Sequence, residues 1–174
     1  RRPADQKEEV VTEGGKRVRK ISSNQKGFTV VGEEGILPEG ATLSTEQKGA
    51  GTVEYVKAAA AITNYLSNTG SFAVFDIDLL SAANVEINSL NGYVAITMPV
   101  PAGLTTGDGR TITAYRLEDD GTLTRCATTI KDGMITFETN HFSTYVFVEE
   151  AVKAANTGDN AASAIYVAFM LLLA

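Results

Sequence analysis

RTITAYRLEDDGTLTRCATTIKDGMITFETNHFSTYVFVE, residues 110–149, is the stretch on which the fold depends. It breaks into four short runs rich in β-branched and aromatic residues, RTITAYRL (110–117), TLTRCATTI (122–130), MITFET (134–139) and FSTYVFVE (142–149). Asp120-Gly121 and Asp132-Gly133 stand between runs, and such dipeptides favour tight hairpins because both central residues tolerate positive φ. The grammar extends upstream. GYVAITMPVP (92–101) puts Val94, Ile96 and Met98 on one face and exits through two prolines, with Asn91-Gly92 and Asp108-Gly109 read as further turns. FAVFDIDLL (72–80) alternates Phe75, Ile77 and Leu79 against Asp76 and Asp78. GFTVVG (27–32) is another short strand run, and ILPEGATL (36–43) a turn leading into an extended piece. Many short strands with frequent turns predict a mainly β chain, an antiparallel β-sandwich.

One segment changes period. In VEYVKAAAAITNYL (53–66), Val53, Val56, Ala60 and Leu66 sit near helical spacing among four consecutive alanines, the best helix formers. Thr52 is the expected N-cap, and 68–70 the expected stop.

Composition bounds the function. The 174 residues suit one domain with tails, with a 44% hydrophobic fraction able to build a core. The net charge of −6 is uneven: residues 1–26 carry eight Lys or Arg against four Asp or Glu, so the body is strongly acidic. That balance argues against nucleic acid as a partner, since phosphate binding needs clustered cations. The basic run KRVRK (16–20) is the exception, and the segment 1–26 reads as a charged linker or the end of a preceding domain. The single cysteine, Cys126, has no partner for an internal disulfide and reads as a small packed residue. No cofactor motif is present. The Asp-Gly turns lack the alternating oxygen ligands and closing glutamate of a calcium loop, and the two carboxylates of FDID suit a solvated strand face.

Residues 151–174, AVKAANTGDNAASAIYVAFMLLLA, pass from an alanine-rich stalk through TGD to an apolar helix over 161–174. Its fourteen residues fall short of the roughly 20 needed to span a bilayer, so the segment reads as a truncated membrane anchor or as a core helix. A TG pair, a short polar spacer and an apolar helix resemble the cell-wall sorting signal of Gram-positive surface proteins, in its TGD variant. The resemblance implies that Asn156, Thr157, Gly158 and Asp159 are the motif. It further implies that a sortase cleaves between Thr157 and Gly158, passing the upstream chain to an amine of the peptidoglycan precursor, and that the apolar segment holds the membrane until then. The chain departs from the family pattern at Ala155, where family members usually carry proline, and in having no basic tail.

The ordered set LPEGATL, FDIDLL, VAITMPVPAGL, AYRLEDDGTLTR and IKDGMITFETNHFSTYVFVE, spread over 37–149, resembles a β-sandwich module of Firmicutes surface proteins. Its ending, F-x-T-x-H-F-S-T-Y, is also similar to the last strands of the sandwich domain of netrin receptors, ankyrins and zonula occludens proteins. Some relatives of that domain cleave themselves within His-Phe-Ser. The resemblance would make His141 the base, Phe142 the carbonyl donor and Ser143 the nucleophile, sensible roles because an unassisted serine needs an adjacent base. Without strain at the 142–143 peptide, the same residues simply open the final strand, with Phe142 in the core and His141 bonding at the turn.

The sequence thus predicts a module over 27–149, a stalk with sorting motif over 150–160 and an anchor segment over 161–174. The expected role is non-catalytic: an extracellular spacer at a Gram-positive cell surface. One alternative is an adhesin module binding host protein or glycan, for which Tyr55, Tyr65, Tyr93 and Tyr115 are the candidate platform. The other is the self-cleaving domain.

Overall fold

Alternation in the sequence becomes two antiparallel sheets laid face to face. The structure, a computed structural model, describes residues 8–152. The strands are β1 (Glu8–Glu13), β2 (Lys16–Ser22), β3 (Thr29–Glu33), β4 (Thr42–Lys48), β5 (Thr69–Leu80), β6 (Glu86–Ile87), β7 (Ser89–Pro99), β8 (Arg110–Leu117), β9 (Leu123–Arg125), β10 (Thr128–Lys131), β11 (Met134–His141) and β12 (Thr144–Ala151). The helix α1 spans Val53–Tyr65. The first sheet runs β1-β2-β3-β7-β11-β10; the second runs β4-β5-β12-β8-β9, with β6 paired to the end of β5.

The core lies between the sheets and follows the predicted period of two. In the first sheet, Ile21, Val30, Ile96 and Phe137 are successive partners across four strands, each fully buried. In the second, Phe75, Ile77 and Leu79 of β5 and Tyr145 and Phe147 of β12 face them, while Asp76 and Asp78 point away. Phe137 bridges the sheets, with ring centroids 5.0 Å from Tyr145 and 5.4 Å from Phe147. Such aromatic pairs each add about 0.5–1.5 kcal/mol beyond the area they bury.

The outer face of the second sheet is covered by α1. Thr52 caps it as expected, its hydroxyl accepting from the Tyr55 amide at 3.2 Å. The buried stripe, however, is Ala58, Ala61 and Ile62, with Tyr55 and Leu66 beside it, packed on Val74, Tyr115, Val146 and Val148. Val53 and Val56, whose spacing suggested a core face, are 80% and 61% exposed. Alanine brings the helix axis close to the sheet, so the small side chains face inward and the valines are left outside.

Three further expectations are corrected. From Glu8 onward the segment 1–26 is neither linker nor another domain: β1 and β2 form a hairpin through Gly14 and Gly15, both at positive φ, and pair onto β3. Three of the four cations in its basic run make ion pairs, Lys16 to Glu33 at 3.1 Å, Arg17 to Glu34 at 2.9 Å and Arg19 to Glu8 at 2.5 Å. The run 122–130 is two strands in different sheets, because the chain crosses the sandwich at Cys126–Ala127. Asn91-Gly92 is no turn. It lies inside β7 under the side chain of Ile36, whose Cδ1 would sit 2.4 Å from an added Cβ and would have to shift to admit one. The sorting motif and the apolar segment 161–174, including its expected helix, lie outside the described residues. Among the described residues no helix is long and apolar enough to cross a membrane.

Candidate functional site

His141 is the last residue of β11, and Phe142–Ser143 carry the chain from the first sheet into the second. The motif therefore precedes the final strand and does not open it. Several backbone groups there have defined partners: the Phe142 amide donates to the Asn88 carbonyl at 2.9 Å, and the Ser143 carbonyl accepts from the Ile77 amide at 2.9 Å. Tyr145 reaches back to donate its hydroxyl to the His141 carbonyl at 2.6 Å, and Thr139 Oγ1 bonds the His141 amide at 3.1 Å. Phe142 is 2% exposed and joins the core. Burial of Tyr145 pushes its hydroxyl pKa up, so at neutral pH the group remains a donor.

The three residues named for self-cleavage are adjacent in sequence but not assembled. Ser143 Oγ is buried and has no hydrogen-bond partner among the described residues, so the His141 ring is not bonded to it. None of residues 141–143 adopts a positive φ, and their peptides are trans. What the structure gathers around His141 is instead a cleft of about 560 Å³, open at the edge where β9 passes to β10. Arg116 and Tyr93 line it with His141, and Arg116 Nε is held by Glu118 Oε2 at 2.7 Å. Burial would raise the Glu118 pKa, but hydrogen bonds from Thr124 and Arg116 outweigh it and hold the carboxyl below its usual value. Cys126, also on the wall, is pushed up to about 12 by burial, so its thiol is unreactive near neutral pH.

The tyrosines do not form a platform. Tyr115 is buried, and Tyr55 stacks on Phe72 with centroids 4.8 Å apart. Tyr65 and Tyr93 are exposed, but one is on α1 outside the second sheet and the other on β7 of the first. Asp76 is occupied by the Thr144 hydroxyl at 2.7 Å and by Lys48 Nζ at 3.5 Å. Among the described residues no three His, Cys, Asp or Glu side chains are placed to hold a metal ion.

Sequence reasoning missed the exit of the chain. Glu149, expected as the last residue of a strand, and Glu150, expected to begin the stalk but in fact inside β12, are 8% and 5% exposed. Glu149 accepts the Ser71 amide at 3.1 Å through one oxygen and the Thr105 amide at 2.7 Å through the other. Glu150 accepts a short hydrogen bond from the Tyr115 hydroxyl. Gly70 leaves room for this carboxylate, since an added Cβ would fall 2.4 Å from Glu149 Oε1 and displace it. The only hint in the sequence is a pair of carboxylates at the end of an otherwise apolar run.

Glu8, the first described residue, and the end of β12 lie toward opposite ends of β5. Glu8 accepts from the Gly40 amide at 3.1 Å, beside Thr42, which pairs with Leu80 at one end of β5. Glu150 pairs with Thr69 at the other end of that twelve-residue strand. At about 3.4 Å per residue the two ends of β5 lie about 35–40 Å apart. No family model, curated protein or solved structure matches the chain.

Proposed function

We propose that this chain is a non-catalytic, extracellular spacer module of a bacterial surface protein, joined to the cell wall by a sortase acting at Thr157–Gly158. The observation that carries the reading is the opposed placement of entry and exit: a module strung between an upstream segment and a wall linkage transmits load along its long axis. β12, which leads toward the sorting motif, suits that task. It is hydrogen-bonded on both sides, to β5 from Thr144 to Glu150 and to β8 from Tyr145 to Ala151. Tension along β12 loads both ladders at once. The carboxylates of Glu149 and Glu150 pin its last turn of side chains to β5, β8 and the loop at Thr105.

The test is an intact-mass measurement on the full 174-residue chain, alone and after incubation with a sortase specific for TGD-type signals and a short amine acceptor. The expected product ends at Thr157 and carries the acceptor. An unconverted chain removes the anchoring half of the proposal. Fragments separating Phe142 from Ser143 in the sample without sortase would replace it with the self-cleaving domain.

A further inference from the structure

The cleft beside His141 presents polar groups with hydrogen-bonding capacity left over among the described residues. Arg116 is engaged only through Nε, and its two terminal amino groups make no hydrogen bond among the described residues. The Asn140 amide and the His141 ring, on the same wall, likewise make no side-chain hydrogen bond among those residues. Together they offer donors in a fork, a donor and acceptor on one amide, and the two ring nitrogens. Tyr93, 48% exposed, adds an aromatic surface to the lining. The volume, about 560 Å³, lies within the range of about 300–1,000 Å³ usual for small-molecule sites.

Charge decides the class of occupant. Arg116 is neutralised by Glu118, and the second arginine of the lining, Arg125, shares the cleft with the carboxylate of Glu138. A phosphate or carboxylate ligand needs a surplus of cationic donors, and this site is balanced. A neutral molecule dense in hydroxyls needs neighbouring donors and acceptors together with a flat apolar contact. We propose that the cleft binds a neutral saccharide, with Tyr93 against a sugar face and Arg116, Asn140 and His141 bonding its hydroxyls. The site is independent of the wall linkage and would make the module a reader of glycans as well as a spacer.

The experiment is an NMR titration of the full ¹⁵N-labelled chain. The neutral probes are glucose, galactose, mannose, N-acetylglucosamine and their common disaccharides; the anionic probes are glucuronate and inorganic phosphate. Saturable shifts of the amides at Tyr93, 124–127 and 138–141 with at least one neutral sugar are expected. Tyr93→Ala and Asn140→Ala, both at positions outside the core, should each weaken binding by about tenfold or more, a loss of about 1.4 kcal/mol, while leaving the β12 amide shifts unchanged. Saturation by glucuronate or phosphate alone would overturn the neutral class. Absence of saturable shifts with every neutral probe, or binding untouched by both substitutions, would overturn the site.

Discussion

The last strand and the first hairpin are held in the sandwich by different forces. β12 lies between β5 and β8 and is apolar on both faces: Tyr145 and Phe147 enter the core, and Val146 and Val148 lie beneath α1. β1 pairs only with β2, and the hairpin sends one side chain, Ile21, into the main core cluster. It also buries Val18 and is laddered to β3 through β2, and the rest of its attachment is electrostatic. Arg19, 4% exposed, bonds Glu8 and the Leu37 carbonyl, and Glu8 in turn takes the Gly40 amide. Burial of apolar surface is indifferent to which neighbour supplies it, whereas a buried ion pair rewards one geometry and leaves a costly remainder when broken. The exit of the chain is thereby built into the sheet, and the entry is latched to it.

That contrast breaks most visibly at Phe147. Phe147→Ala, at a fully buried position, is expected to cost about 3–5 kcal/mol, read as a lowered urea midpoint. A cost below about 1 kcal/mol would mean that β12 is not the centre of the core. Arg19→Met comes next. It removes the buried guanidinium that bonds the Glu8 carboxylate and the Leu37 carbonyl, for an expected loss of about 2–3 kcal/mol. Native-state hydrogen exchange should show Val18 and Ile21 losing protection while the β12 amides keep theirs. Equal loss in both strands would show the hairpin to be as integral as β12. Glu149→Gln is smaller. An amide can accept from only one of Ser71 and Thr105 and turns a donor toward the other, so about 1–2 kcal/mol is expected, with faster exchange at the Thr105 amide. Unchanged exchange there would remove the carboxylate clamp from the account.

The smallest effect is in pH. Burial of Asp78, reinforced by the charges of Asp76 and Glu86, raises its pKa above the ordinary value. The folded state therefore binds this proton more tightly than the unfolded chain. The favourable contribution is full below the unfolded pKa and is lost as pH rises through the folded one. Asp78→Asn should accordingly raise the melting temperature slightly at neutral pH and remove this part of its decline as pH rises through the folded pKa. A lowered melting temperature at pH 7 would assign Asp78 a stabilising partner instead.

Much of the second sheet is legible because its signals are local. The alternation of 72–80 and 110–117 reappears as β5 and β8, and Thr52 caps α1 as its position implies. Asp108 and Asp132 take φ of 54° and 51° before glycines also at positive φ, so those turns follow from residue type. Asp120-Gly121 does not repeat this, for only Gly121 has positive φ. The cleft was illegible: Tyr93, Arg116 and His141 are spread over almost fifty positions and meet only because β9 and β10 part company at Cys126.

The sequence by itself determined the β character, the helix, most turns and the face each strand turns inward, since period and φ preference act over a few residues. Only the tertiary structure decided that 8–22 belongs to the sandwich, that Gly92 serves Ile36 and not a turn, that α1 buries alanine and exposes valine, and that Glu149 and Glu150 are interior. Each of those depends on a partner far away in the chain, and a pattern of neighbours carries no record of what will be brought against it.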